Sequence, residues 1–326
     1  DNTKIVISFV VCDSRFNESI NVVKSILLFT RVHVHFVIFA DDVLWVKLIE
    51  TLTNFKVVTN NQLGYELHKI NFPEPHKEFW LNLFRKCAAQ RLFLPDRLKS
   101  CGHTSQGSTP LRYQLWHWRM TTRMCRDAMI YVDIDTLFLG PVEELWAHFS
   151  RFNSSQISAM ALEDDNPNVS WYPRFASHPF YGKYGLNSGV MLMNLTRMRD
   201  FGWVDYDIIN IIFYYQSRAV LVLSCRYNYR QDQCMYGDAC GDAAAHGVFL
   251  LHGSRRAFHG DAQPAFQAVY RAIDEYELGT DPSNTLLSNI DKYISASPAS
   301  NCASLKDAFL TVPNNTFQRL YSLPDR

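Results

Sequence analysis

Two carboxylates, Asp133 and Asp135, close a short apolar run within Met129–Gly140 (MIYVDIDTLFLG). Acids at the tip of a buried strand need a partner, because burying an unpaired carboxylate is costly. Alternation along an extended chain puts both side chains on one side, with Ile134 pointing away. Two converging carboxylates suit a hard divalent cation, and such a cation suits a diphosphate. A strand-end turn with solvated acids has the same three letters, so the surroundings must discriminate. Two further strand ends carry chemistry. Gly185–Asn194 (GLNSGVMLMN) reads as a strand entered through Asn187, Ser188 and Gly189. Gly189 permits close backbone approach there, and the Asn187 amide can both donate and accept. Val248–His259 (VFLLHGSRRAFH) ends in His252, whose neutral imidazole could complete a metal set. Arg255 and Arg256 behind it could neutralise phosphate. N-S-G alone is a turn signal, and a lone histidine in a basic loop is commonly a surface residue. Three such strand ends in one chain favour a site.

The elements that must position these residues alternate. Lys4–Cys12 (KIVISFVVC) is a nearly continuous β-branched run, expected of a strand buried on both faces. Asp13 or Ser14 can cap the following helix, in which Ile20, Val23 and Leu27 recur at helical spacing. Val34–Ala40 reads as a second strand, Trp45–Leu52 as a short helix, Tyr65–Ile70 as a third strand, and Cys87–Leu98 as helical up to Pro95. Pro141–Phe149 (helix) and Ile157–Leu162 (strand) follow the two acids. The order β-α-β-α predicts an α/β fold with a mostly parallel central sheet flanked by helices. Ligands in such sheets sit beyond the carboxyl ends of the strands, where Asp13, Asp41 and Asp133 fall. Trp171–Tyr184 is an aromatic loop that either packs on the sheet or stacks on sugar rings. A helix follows Pro264, and residues 281–326 form a polar tail with no assigned structure.

At 326 residues with 47% hydrophobic and 14% aromatic content, the chain can bury a large core. We expect a single domain over residues 1–280. Lys+Arg and Asp+Glu balance at 32 each, which excludes a nucleic-acid partner on charge. Ile208–Leu223, the best candidate span, is broken by Gln216 and Arg218. The first strand-like run begins without a signal peptide, so any membrane anchor is expected to be absent from this chain. The eight cysteines include no C-x-x-C pair, which argues against zinc. Cys225, Cys234 and Cys240 cluster as loop staples do in secreted proteins, and sequons at Asn17, Asn153, Asn168, Asn194 and Asn314 agree. A secretory lumen is the expected compartment.

YVDIDTLFLGPV, GLNSGVMLMNLTRMR and FLLHGSRRAFHGDAQPAFQAVY resemble the retaining glycosyltransferases of family eight, and within them the glucoside xylosyltransferases. CAAQRLFLP, RFNSSQISAMALEDDNP and CRYNYRQDQCMYG are similar to the same subgroup, so the resemblance spans most of Lys4–Glu277. It implies a GT-A fold, Mn²⁺ as cofactor, UDP-xylose as donor, and a type II membrane enzyme of the Golgi or endoplasmic reticulum. It implies transfer of xylose in α1,3 linkage to O-linked glucose on EGF-like repeats of the Notch type. By the same resemblance Asp133, Asp135 and His252 would hold Mn²⁺. Arg91 would reach the donor sugar and phosphate. Asn187, Ser188 and Gly189 would line the sugar pocket, with Gly253 and Arg255 also on the nucleotide sugar. The turn Cys12, Asp13 and Ser14 would hold the uridine. Retention in this family is usually drawn as a front-face displacement, which requires no carboxylate pair at glycosidase spacing.

The chain departs from the family at identifiable places. The family's W-G-D-Q-D segment is Trp203-Val204-Asp205-Tyr206-Asp207 here, so Tyr206 replaces the glutamine facing the reacting carbon. Asp205, Tyr206 and Asp207 are the candidate catalytic residues, with Asp205 able to hold donor hydroxyls. The connection over residues 199–203 is shortened, residues 101–126 read as an insertion, and a family lysine aligns with Ala262. Both length changes are either genuine or gene-model errors. The alternative is a catalytically impaired relative that binds nucleotide sugar or glycosylated EGF repeats. VDIDT also matches the D-x-D-x-T motif of haloacid-dehalogenase phosphatases. That motif belongs near a domain's start, whereas roughly 130 residues of α/β pattern precede it here.

Overall fold

The computed structural model describes residues 5–12, 14–72, 77–98, 126–164, 166, 169–203 and 209–322. The order is β1 (Ile5–Val11), α1 (Phe16–Phe29), β2 (Val34–Ala40), α2 (Trp45–Val58), β3 (Leu63–Lys69), α3 (Lys77–Gln90) and β4 (Ala128–Val132). Next come β5 (Thr136–Phe138), β6 (Ser158–Leu162), β7 (Leu186–Asn194), β8 (Val220–Leu223), β9 (Tyr229–Arg230) and β10 (Leu250–His252). Three longer helices end the chain: α4 (Pro264–Glu275), α5 (Ser288–Ala296) and α6 (Lys306–Ser322). Seven strands form one sheet in the order β3-β2-β1-β4-β7-β6-β8, and β5-β10-β9 form a second. In the large sheet β7 alone runs antiparallel to its neighbours β4 and β6. The parallel rest follows from β1 and β2, whose residues are buried throughout. Along β1 the side chains divide by alternation: Ile5, Ile7, Phe9 and Val11 enter one core, and Val6 and Val10 the other.

Several boundaries differ from the sequence reading. α2 runs on to Val58, and α3 begins at Lys77, ten residues before Cys87. Neither Asp13 nor Ser14 is seen to cap α1. Asp13 lies outside the described residues, Ser14 is exposed, and Arg15 takes the cap position without a side-chain capping bond. The stretch 101–126, read from sequence as an insertion, lies outside the described residues apart from Arg126.

The polar C-terminal residues, unassigned by their pattern, fold as helices: α5 packs on α4, and α6 joins α4 in covering α1. Phe317 of α6 stacks on Phe29 of α1 at 4.9 Å. Buried Lys24 of α1 donates to the Ile273 and Asp274 carbonyls at 3.1 and 2.8 Å, neutralising the C-terminal end of α4. α1 is therefore buried on nearly all sides, which explains why its apolar pattern is broader than one stripe. Disulfides join Cys12 to Cys87, Cys225 to Cys240, and Cys234 to Cys302. The last closes a separation of 68 residues and fastens the C-terminal helices. Cys302→Ser is expected to lower unfolding free energy by about 2–4 kcal/mol, read from denaturant unfolding.

At the edge strand β3, Glu66 sits 3.0 Å from the Arg126 guanidinium and 3.6 Å from His68. Burial pushes its carboxyl up, but His68 and Arg126 outweigh burial and lower it from an ordinary 4.5 to about 2. The folded value lies below the unfolded one, so this stabilisation is present above pH 4.5 and is lost as pH falls toward 2. Glu66→Gln should weaken the fold at neutral pH and flatten the acid limb of a stability–pH curve in that window.

Candidate active site

β4 stops at Val132, and the chain turns through Asp133, Ile134 and Asp135 before Thr136 opens β5. The D-x-D thus sits in a turn rather than on an extended strand. Thr136 Oγ1 donates to the Asp133 carbonyl at 2.8 Å and closes this turn. The Asp133 N–H donates to the Gly189 carbonyl at 2.8 Å, and the Gly253 N–H to the Asp135 carbonyl at 2.7 Å. Those two bonds tie the turn to both other strand ends singled out above. β10 pairs antiparallel with β5, His252 opposite Thr136, which carries the imidazole back to the acids. Ligand atoms of Asp133, Asp135 and His252 lie within 4.8 Å of one another.

His252 Nδ1 is 2.8 Å from Asn228 Oδ1, and its Nε2 is 3.5 Å from Asp135 Oδ1. The Asn228 oxygen can only accept, so Nδ1 carries a proton and donates. In the neutral ring Nε2 then presents a lone pair to a carboxylate, two acceptors across a gap that a cation fits. The three side chains could hold a divalent metal. Burial pushes the Asp135 carboxyl up; with the His252 ring protonated on both nitrogens, His252 and Arg15 outweigh burial and hold the group well below the usual carboxylate range. Arg15 Nη2 lies 3.6 Å from Asp135 Oδ2.

Arg91 follows α3 and donates through Nη1 to Asp133 Oδ1 at 3.2 Å and to the Ser188 carbonyl at 3.1 Å. Its burial lowers its pKa, yet Asp133 and the neighbouring oxygens raise it above the ordinary value. The Tyr131 hydroxyl donates to Asp133 Oδ1 at 2.8 Å, and burial together with the Asp133 charge keeps that phenol protonated. Asn187 Nδ2 donates to Glu163 at 2.7 Å, while its oxygen accepts from the Gly189 N–H at 2.9 Å and from Asn228 Nδ2 at 2.8 Å. Glu163 in turn pairs with buried Arg230 at 2.5 Å. Gly189 has no room for a side chain, since a Cβ there would lie 2.2 Å from His252 Cε1.

A cavity of about 150 Å³ opens here, lined by Val10, Arg15, Cys87, Arg91, Tyr131 and both acids. The Cys12–Cys87 bridge ties the end of β1 to α3 at its wall. A larger cavity of about 540 Å³, walled by Phe258, Tyr270 and Tyr293, shares no lining residue with it.

The structure therefore brings together Asp133, Asp135, His252, Arg91, Asn187, Ser188, Gly189 and Gly253. Arg255 is turned onto the Asp232 carboxylate with which it ion-pairs, and both Arg255 and Arg256 adopt positive φ. Asp205, Tyr206 and Asp207 lie outside the described residues, as does Asp13. In the aromatic loop Tyr172 packs inward, its hydroxyl accepting from Asn210 at 2.6 Å, whereas Trp171 and Phe175 are exposed. Sequence reasoning gave no role to Arg15, Tyr131, Glu163, Asn228 or Arg230. Glu163, Asn228 and Arg230 lie in the stretches ALEDDNP and CRYNYRQDQCMYG, so the family match was the available signal. Among the described residues no helix is long and apolar enough to cross a membrane.

No protein-family profile matches the chain. Among solved structures, the glycosyltransferase GlyE of Streptococcus pneumoniae superposes with a TM-score of 0.52 at 13% identity, covering 90% of this chain and 64% of that one. An active-site mutant of LgtC superposes at 0.50 and 13% identity, covering 88% and 96%. Likeness at that identity speaks for the fold, which is GT-A. Glucoside xylosyltransferase 1 of Danio rerio is 37% identical over 339 residues, spanning 95% of this chain and 78% of the relative. The human glucoside xylosyltransferase 1 is 35% identical over 335 residues, with 94% and 70% covered. Glucoside xylosyltransferase 2 of Xenopus laevis is 34% identical over 343 residues, with 97% and 75% covered. With that identity sustained over more than nine-tenths of a chain with a GT-A sheet, the chain belongs to the glucoside xylosyltransferase family.

Proposed function

We propose that this chain transfers xylose from UDP-xylose, with retention, in α1,3 linkage to O-linked glucose on EGF-like repeats in the secretory lumen. The observation that carries the reading is the near-full-length similarity to glucoside xylosyltransferases, joined to an Asp133–Asp135–His252 cluster at the strand ends. Three disulfides fit an oxidising compartment, and the Golgi as a type II protein is the family's expected station.

Within this reading Asp133, Asp135 and His252 would hold Mn²⁺. Such an ion would supply Lewis-acid stabilisation of negative charge on a diphosphate leaving group. Arg91, held between Asp133 and the Ser188 carbonyl, adds a fixed positive charge beside that oxygen cluster. Asn187, Ser188 and Gly189 form the floor under the sugar, Gly189 being bare so that His252 can approach. By the family's pattern Cys12, Asp13 and Ser14 would receive the uridine, Asp205 would hold donor hydroxyls, and Tyr206, beside Asp207, stands where the family has the glutamine of the reacting centre.

The test is transfer by purified protein with Mn²⁺, UDP-xylose and an O-glucosylated EGF repeat, scored by product mass and UDP release. A pentose added to the repeat establishes the activity. Mn²⁺-dependent UDP binding without product would identify the impaired relative that Tyr206 suggests. Absence of both would sink the reading.

A further inference from the structure

A chain of hydrogen bonds runs from Arg230 to His252 through Glu163, Asn187 and Asn228. Arg230 lies 2.5 Å from Glu163 Oε1. Glu163 Oε2 accepts from Asn187 Nδ2 at 2.7 Å, Asn187 Oδ1 from Asn228 Nδ2 at 2.8 Å, and Asn228 Oδ1 from His252 Nδ1 at 2.8 Å. Every link has a forced direction. A guanidinium can only donate and an ionised carboxylate can only accept, so Asn187 must turn its NH₂ to Glu163. Its oxygen then faces Asn228, which must answer with NH₂ and point its own oxygen at His252. The ring is left to donate from Nδ1 and to keep Nε2 as a free lone pair toward Asp135. The Gly189 N–H, donating to Asn187 Oδ1 at 2.9 Å, pins the same direction midway. Arg230 is 1% exposed, Asn228 0% and His252 3%, so bulk water cannot stand in for either end of the relay. Among the described residues Glu163 is the one ion-pair partner of Arg230, whose Nε and Nη2 have no acceptor.

We propose that the Arg230–Glu163 pair is a positioning device for the metal centre, setting the Nδ1–H tautomer of His252 through the amides of Asn187 and Asn228. The device rests on the reading of His252 as a metal ligand: Nε2 can bind a cation only in that tautomer, and Arg230 touches neither cation nor substrate. Partners behind a metal-bound histidine typically alter metal affinity by about 10–100-fold when removed.

Glu163→Gln tests it with an isosteric change. The charged guanidinium still demands an acceptor, and a charge-assisted bond is roughly twice as strong as the neutral amide contacts downstream. The introduced glutamine therefore offers its oxygen to Arg230 and its NH₂ to Asn187, and the relay is driven to reverse against the Gly189 contact. His252 is read by ¹⁵N-histidine NMR on the metal-free protein, its signals identified by their loss in His252→Ala. Wild type should show a protonated Nδ1. E163Q should shift protonation toward Nε2 and weaken Mn²⁺ binding by about tenfold or more by calorimetry. Arg230→Lys, a donor-only head that leaves Glu163 an obligate acceptor, should keep Nδ1–H. Asn228→Leu removes the acceptor that faces Nδ1 and should shift protonation toward Nε2, which faces Asp135. Either E163Q or Asn228→Leu suffices, so one that fails to fold does not remove the test. A pure Nδ1–H ring in the variants that fold, whatever their Mn²⁺ affinity, overturns the proposal. A wild-type chain that binds no Mn²⁺ would refute the metal reading alone, because the tautomer is measured without metal.

Discussion

Asp135→Ala should abolish transfer, with kcat/KM for UDP-xylose falling on the order of a thousandfold or more. Metal-assisted charge stabilisation is worth several kcal/mol, and each 1.36 kcal/mol is about a factor of ten in rate. The effect should be specific to the centre. Asp135 sits in a turn whose backbone is held by the Gly253 N–H, and its side chain keeps partial exposure, so the variant should fold. Mn²⁺ near a hundred times its Kd should stabilise wild type by about 2.7 kcal/mol, seen as a rise in Tm. The Asp135→Ala variant should show no such rise. Equal Mn²⁺-induced shifts in both proteins would remove Asp135 from the ligand set. Asp133 is more entangled, since Arg91 and Tyr131 both donate to it. Asp133→Ala should therefore lose activity and also stability, by leaving a buried guanidinium without its anion.

The second large effect is expected from a single methyl group. In Gly189→Ala the new Cβ would lie 2.2 Å from His252 Cε1, 2.8 Å from its Nδ1 and 3.0 Å from Asn187 Oδ1. None of these neighbours is free to retreat: the ring is clamped between Asn228 and Asp135, and Asn187 between Glu163 and Asn228. Overpacking of this kind costs about 1–3 kcal/mol, and the displaced imidazole should weaken Mn²⁺ binding about tenfold or more. Unfolding curves and calorimetry read the two losses separately. Gly241→Ala is the control, because a Cβ there meets nothing within 4 Å and the residue opens a short helix. It should be neutral or slightly stabilising. A Gly189→Ala chain with unchanged metal affinity would contradict the packing described here.

Legibility from sequence followed the physics of each signal. The runs KIVISFVVC and VHFVIFA could be read as central strands because burial on both faces demands unbroken apolar character. The helix at Pro264 announced itself by period and by proline at its first turn. The C-terminal helices did not, because their sequences are polar and they are held by partners far away in the chain, Phe29 and Cys234 among them. Strand β9 is two residues long and exists by pairing with β10, which no local pattern encodes. At the site, Asp133, Asp135 and His252 stood out because acids and a histidine at strand ends are chemically conspicuous. The convergence of the two acids was expected from strand alternation, yet they sit in a turn, and β5–β10 pairing brings His252 to them. Glu163, Asn228 and Arg230 carry no such local mark, since each acquires meaning from a neighbour more than twenty residues away.

The stack of Phe317 on Phe29 bears on how the chain is born. α1 is synthesised well before the partners that cover its outer side, α4 and α6. At about 5–20 residues per second, Leu28 and Phe29 remain uncovered for tens of seconds while the rest of the chain is made. During that interval the nascent sheet presents a sticky apolar face, the natural target of a chaperone. A ribosome stalled before Cys302 would hold a domain whose strands can pair but whose first helix cannot yet be sealed.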